Sequence, residues 1–126
     1  MGQAILAFAS YLGTAVVLLA AFTWLYEKFT PYQEFDLIKE NNAAAAVTLA
    51  GALLGFTFPM VSSIYFTQSL VEMMLWSAIT GLVQLLVFTV MRGWAKAIEQ
   101  GKIAPAIFVA GVSLSVGLLN AACISH

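Results

Sequence analysis

Gln84, Asn120, Glu72, Ser62 and Ser63 form the candidate polar site of this sequence, because each stands in or beside a long apolar run. An amide or hydroxyl in such surroundings must hydrogen-bond to a neighbouring helix or to water. Gln84 and Asn120 therefore suit one of two tasks, joining helices or lining a path for a polar solute. Glu72 is a carboxylate, and a carboxylate at mid-membrane would be a functional candidate. Its place at the start of a run lets it favour a helix dipole and reach water instead. The sets of residues that reaction chemistry needs are missing. No nucleophile is paired with a base, no cluster of His, Cys, Asp and Glu has metal-ligand spacing, and there is no glycine-rich phosphate loop. Hence no catalytic, cofactor-binding or metal-ligating residue is expected, and the chain reads as a non-enzyme. Cys123 is the single cysteine, which excludes an intramolecular disulfide and reads as a small buried thiol. His126, the last residue, reads as a frayed end.

Those side chains can be positioned only by the runs around them. Of the 126 residues 62% are hydrophobic and 9% charged, where a soluble domain carries about 25% charged residues. The mean hydropathy is +0.95. Five Lys+Arg and six Asp+Glu cannot cover a water-facing surface, so the missing solvent is lipid. A net charge of -1 gives no reason to expect a nucleic-acid partner. Apolar segments run over 5–26, 43–64, 73–91 and 103–124, and none contains Asp, Glu, Lys or Arg. A bilayer core about 30 Å thick takes about 20 helical residues. Only a helix satisfies every backbone group within one such segment. The expected fold class is all-α, an integral membrane four-helix bundle forming one domain over 1–126. The first run is too long for a secretion signal and has no basic residues before it, so it reads as a span that stays in the membrane.

The connections 27–42 and 92–102 hold every basic residue: Lys28, Lys39, Arg92, Lys96 and Lys102. The connection 65–72 holds none. Basic loops stay cytoplasmic, so both termini are expected outside, on the periplasmic face of an inner membrane. Trp24, Tyr26 and Trp94 toward the inner face, with Tyr11, Tyr65 and Trp76 toward the outer, fit interfacial belts. Thr30-Pro31-Tyr32-Gln33 reads as a capping box with Thr30 as the cap. It opens a short amphipathic helix with Tyr32, Phe35 and Ile38 on its apolar face. Asn41, with Asn42 beside it, is expected to cap the second span. Trp94 and Ile98 anchor the last connector. Pro59 is expected to kink the second span, with Thr57, Ser62 and Ser63 placed to satisfy the freed carbonyls.

Small residues recur at helical spacing. Gly51 and Gly55 form GxxxG, and Ala106, Ala110, Gly117 and Ala121 give the fourth span similar patches. Small residues let helix backbones approach closely where lipid removes any hydrophobic drive. This set is a helix-packing seam, either within one subunit or between copies. Setting 38–55 against 98–115 matches Ile38/Ile98, Ala44/Ala104, Ala46/Ala106, Ala50/Ala110, Gly51/Gly111 and Leu54/Leu114. Each half, 1–64 and 65–126, reads span, basic connector, span. Two spans per half insert the same way up, so the expected arrangement is a pair of parallel repeats.

The run Leu37-Ile38-Lys39-Glu40-Asn41-Asn42-Ala43-Ala44-Ala45-Ala46, then Gly51-Ala52-Leu53-Leu54-Gly55 and Pro59, resembles the YjfL family. So do Thr30-Pro31 with the acidic stretch after it and the tail Gly117-Leu118-Leu119-Asn120-Ala121-Ala122-Cys123. The resemblance covers essentially the whole chain. It implies a small four-span bacterial inner-membrane protein with two related halves, in a family classed as a domain of unknown function. It brings no catalytic or binding residues. Similar proteins sit in gene clusters with phage-shock-like membrane-stress proteins and with enzymes resembling glutathionylspermidine synthases, which points to envelope stress or polyamine-linked physiology. Two functions follow as expectations. One is a non-enzymatic, homo-oligomeric membrane component that meets a cytoplasmic or envelope-stress protein. The other is a small oligomeric channel or transporter for ions or small solutes, lined by Ser62, Ser63, Thr57, Gln84 and Asn120.

Overall fold

The computed structural model describes residues 2–30 and 34–124. Among them the chain forms α1 (Gly2–Phe29), α2 (Glu34–Lys39), α3 (Ala43–Thr67), α4 (Leu70–Val90), a 3₁₀ turn over Arg92–Trp94, α5 (Ala95–Glu99) and α6 (Ile103–Ile124). Four of these helices, α1, α3, α4 and α6, are long and apolar enough to cross a membrane. The fold is all-helical.

The centre of the bundle is α3. Its small residues Ala44, Ala45, Gly51, Ala52 and Gly55 are all buried, so neighbouring backbones approach it on several sides. Over the most apolar window of each helix, 56% of α3 is buried but only 6% of α1. Helices α4 and α6 pack on α3, and α1 leans on α3 and α4 from outside. Phe22 and Tyr26 are the buried residues of α1. Phe22 stacks on Phe56 with centroids 4.3 Å apart and planes at 5°. Tyr26 meets the edge of Phe88 at 5.7 Å. Tyr26 is 1% exposed and belongs to the core, not to an interfacial belt. Its position faces α4 where Trp24 faces outward.

The first two connections are shorter than expected. Helix α3 runs on to Thr67, Gln68 turns the chain with φ 50°, and Ser69 caps α4 by accepting the Glu72 N–H at 3.3 Å. A capping serine one residue after a left-handed turn leaves no room for the longer loop 65–72. Pro59 lies inside α3 without ending it. The expected donors go elsewhere. Thr57 donates to the Leu53 carbonyl, Ser63 to that of Met60, and Ser62 across to Ala121 at 2.8 Å. The carbonyl that Pro59 leaves without its i+4 donor is that of Gly55. The backbone of Gly117 lies against that carbonyl, with a hydrogen where any other residue would carry Cβ.

The two basic connectors end in the same turn. Asn41 has φ 68° and Gly101 φ 84°. Asn41 N–H donates to Ile38 and Asn42 N–H to Leu37, at 3.0 and 2.8 Å. Gly101 N–H donates to Ile98 and Lys102 N–H to Ala97, at 2.9 and 3.0 Å. Both are Schellman closures of the preceding short helix. Asn41 therefore does not cap α3, because its left-handed backbone closes α2. The cap of α3 is Asn42, whose Oδ1 accepts the Ala45 N–H at 3.1 Å. The same amide reaches over, and Nδ2 donates to the carbonyls of Ile98 at 3.4 Å and Glu99 at 3.2 Å. One side chain thus opens α3 and closes α5.

Thr30 closes α1, donating its hydroxyl to Glu27 and its N–H to Tyr26. The rest of the expected capping box, with Tyr32, lies outside the described residues, as does His126. On α2 the packing falls to Leu37 and Ile38, while Phe35 is exposed, because the turn at Asn41 folds the end of α2 onto α3. In the other connector Ile98 is buried, whereas Trp94 is exposed and rests on Phe108 at 5.3 Å. Cys123 is exposed, because it lies on a face of α6 that no other helix covers.

Candidate functional site

Helix α4 buries Met73, Ser77, Thr80, Gln84 and Phe88, a stripe at helical spacing of three and four. Three of the five are polar, and two of them, Thr80 and Gln84, bond to α6. Gln84, 1% exposed, donates from Nε2 to the Ser113 carbonyl at 3.1 Å. Asn120 donates from Nδ2 to Thr80 Oγ1 at 2.8 Å. With Ser62 on Ala121, these bonds tie α3 and α4 to α6 at two depths, Ser113 and the neighbouring pair Asn120 and Ala121. They make a polar seam inside an apolar bundle, each bond crossing between helices. Gln84 Oε1 and Ser77 Oγ are buried without a partner among the described residues.

The small-residue seam lies beside it. A Cβ built on Gly51 would sit 2.5 Å from the Ala110 backbone, and one on Gly55 2.5 Å from the Ser113 carbonyl and from Gln84 Nε2. A Cβ on Gly117 would run into the Gly55 backbone. Ala106 is fully buried, while Ala110 and Ala121 are half-buried. The order Gly51–Ala110, Gly55–Gly117, Ser62–Ala121 shows α3 and α6 running parallel in contact. Gly51, Gly55, Ala110 and Gly117 are thus occupied within one subunit.

Of the candidate residues, the structure joins Gln84, Asn120 and Ser62 into interhelical bonds. Ser63 is buried and bonded within α3, and Glu72 is exposed in the first turn of α4. Ser77, Thr80 and Ser113 were not singled out by sequence. The signal that could have found them is the polar stripe 77, 80, 84 on one face of an apolar helix. Among the described residues no group of His, Cys, Asp and Glu could hold a metal ion. The Asn120–Thr80 pair gives a direct measure of the seam. A double-mutant cycle with Asn120→Ala and Thr80→Val is expected to show a coupling of about 0.6–1.7 kcal/mol. Additive losses, read by reversible unfolding in mixed micelles, would remove the pair from the seam.

On another side of the bundle, two cavities lie along α1. One, of about 380 Å³, is lined by apolar groups of α1 and α4 and by Phe56 of α3, with Ser77 at its wall. The other, of about 620 Å³, is lined by Lys28, Phe29, Thr30, Arg92, Ala95, Lys96 and Glu99. The Arg92 guanidinium lies over the Phe29 ring at 5.4 Å, and Nη2 donates to the Phe29 carbonyl at 3.5 Å. Lys28 lies over the Trp24 ring at 5.6 Å. Nearby, Glu27 keeps Oε2 buried without a partner among the described residues.

No solved structure matches the chain. Among curated proteins it is 34% identical over 127 residues to the UPF0719 inner membrane protein YjfL of Escherichia coli K12, covering 98% of this chain and 96% of that one. It is 33% identical over 79 residues to the UPF0719 transmembrane protein YshE of Bacillus subtilis strain 168, covering 63% of this chain and 58% of that one. The profile of the family described as Domain of Unknown Function (DUF350) matches residues 1–124. With that match and a bundle of four membrane-length helices, the chain belongs to the DUF350 family as an integral membrane protein.

Proposed function

We propose that the chain is a non-enzymatic, homo-oligomeric component of the bacterial inner membrane, linked to envelope stress. Both termini face outward, and the basic connectors 27–42 and 92–102 lie in the cytoplasm, where they meet a protein partner. The observation that carries this reading is the state of the polar side chains at depth. Gln84, Asn120 and Ser62 spend their donors on neighbouring helices, and a side chain so bonded builds a scaffold. The link to envelope stress comes from the family resemblance, and the orientation from the placement of Lys and Arg. Contacts between copies would use surface left free by the α3–α6 seam. A groove of about 390 Å³ on the outer face of α6, at Gly111, is one such surface. The identical turns at Asn41 and Gly101 support reading the halves 1–64 and 65–126 as parallel repeats.

A second reading is an oligomeric channel for ions or small solutes. Gln84 Oε1 and Ser77 Oγ favour it, since both are buried acceptors without a partner among the described residues. The test is flux of salts, protons and polyamines into sealed vesicles carrying the purified protein, against empty vesicles. No protein-dependent flux is expected. A flux that Gln84→Ala and Asn120→Ala abolish would replace the scaffold reading with the channel. Light scattering is expected to give a mass of more than one chain per detergent particle, and a monomer would end the oligomeric reading.

A further inference from the structure

The α1–α4 contact has a feature that neither a scaffold nor a channel uses. The same faces of both helices line an apolar crevice at membrane depth and a cationic pocket at the membrane edge. On α1, Leu18, Phe22 and Leu25 line the crevice, and Lys28 and Phe29 line the pocket. Those positions step by three and four, so they lie along one face. On α4, Ser77, Gly81 and Leu85 step by four along the crevice, and Arg92 follows beyond the helix end. From Leu25 to Lys28 is about 4.5 Å of helix rise. The crevice and the cations therefore follow one another along α1.

We propose that this seam binds one anionic phospholipid, its phosphate at Lys28, Arg92 and Lys96 and an acyl chain in the crevice between α1 and α4. The three cations face one carboxylate, Glu99, in the pocket lining. Arg92 is held before any ligand arrives, stacked on Phe29 and bonded to its carbonyl. Its remaining N–H donors match the paired oxygens of a phosphate. Basic pockets at the ends of membrane helices recognise lipid headgroups in this way. A free phosphate shares the headgroup chemistry but has no use for the crevice, whose lining is almost wholly apolar. The order of the two cavities, cations at the edge and apolar space beneath, is the order of a phospholipid. The site is built within one subunit and stands whether or not the chain oligomerises.

The test uses the full chain in a neutral detergent, mixed with equal amounts of phosphatidylglycerol and phosphatidylcholine and weighed intact. Phosphatidylglycerol is expected to be retained about tenfold or more over phosphatidylcholine. The combined K28Q/R92Q/K96Q variant is expected to bring that ratio near one, and Arg92→Lys to keep most of it. Ala78→Phe, which fills the crevice from its exposed wall, is expected to reduce retention of both lipids without changing their ratio. Inorganic phosphate at millimolar concentration is expected to displace neither. Equal retention of the two lipids by the unaltered chain would overturn the proposal, and so would a preference that survives the triple variant. Displacement by inorganic phosphate, with Ala78→Phe having no effect, would reassign the pocket to a soluble anion. Unaltered helix content by circular dichroism separates each of these outcomes from a failure to fold.

Discussion

Gly117→Leu is expected to destabilise the bundle by at least about 3 kcal/mol, at or beyond the upper end of overpacking costs. The obstacle is backbone. A Cβ on Gly117 meets the Gly55 Cα, carbonyl carbon and oxygen, none of which can rotate away. The helices must move apart, and Gln84–Ser113 and Ser62–Ala121 stretch with them. The Gly55 carbonyl, already without a donor because Pro59 has no N–H, would lose its close neighbour as well. The matched control is Gly111→Ala on the same helix, where a Cβ meets nothing within 4 Å. That change is expected to leave stability level or raise it by up to about 1 kcal/mol through helix propensity. Unfolding in mixed micelles, followed by circular dichroism, checks both. Equal midpoints for the two variants would mean that α3 and α6 do not touch at Gly117.

Asn42→Ala is expected to cost about 2 kcal/mol, the sum of a lost N-cap and two lost donors to carbonyls. Asn42→Asp dissects that loss. The carboxylate still accepts from Ala45 and favours the start of α3, but it has nothing to donate to Ile98 and Glu99. Its expected loss is about 1 kcal/mol, with a lowered barrier to hydrogen exchange at the end of α5. If Asn42→Asp matches the unaltered chain, the tie between connectors contributes nothing. If it matches Asn42→Ala, the cap does.

The spans were legible because length and apolarity act locally. Each stretch free of charge is a helix; α1 runs a turn beyond its stretch to Phe29, and the ends of α3 and α4 are set by the turn at Gln68 and Ser69. The small-residue pattern announced close packing but not its partner, since Gly51 and Gly55 are equally suited to a second copy or to α6. The choice depends on which helices neighbour each other, and period alone does not encode that. Asn42 shows the same limit. Either Asn41 or Asn42 is a good cap by type, and the Schellman turn decides between them through backbone geometry. The bonds of Gln84 and Asn120 join residues 29 and 40 apart in the chain. Their polarity was visible in sequence; their pairing needed the arrangement of α4 and α6. The cationic pocket likewise draws Lys28 and Arg92 together from the C-terminal ends of two different spans.

The shallow seating of α1 bears on how the protein is made. Its partners Phe56 and Phe88 lie on helices synthesised later. At about 5–20 residues per second, the first helix waits on the order of ten seconds in the bilayer before α4 is complete. Phe22 can meet Phe56 once α3 is made, but Tyr26 is without Phe88 for the whole of that interval. Helix α1 is fully seated only when α4 joins it, and the biogenesis of this bundle passes through a membrane-inserted chain in which that helix is still a stranger to part of its own site.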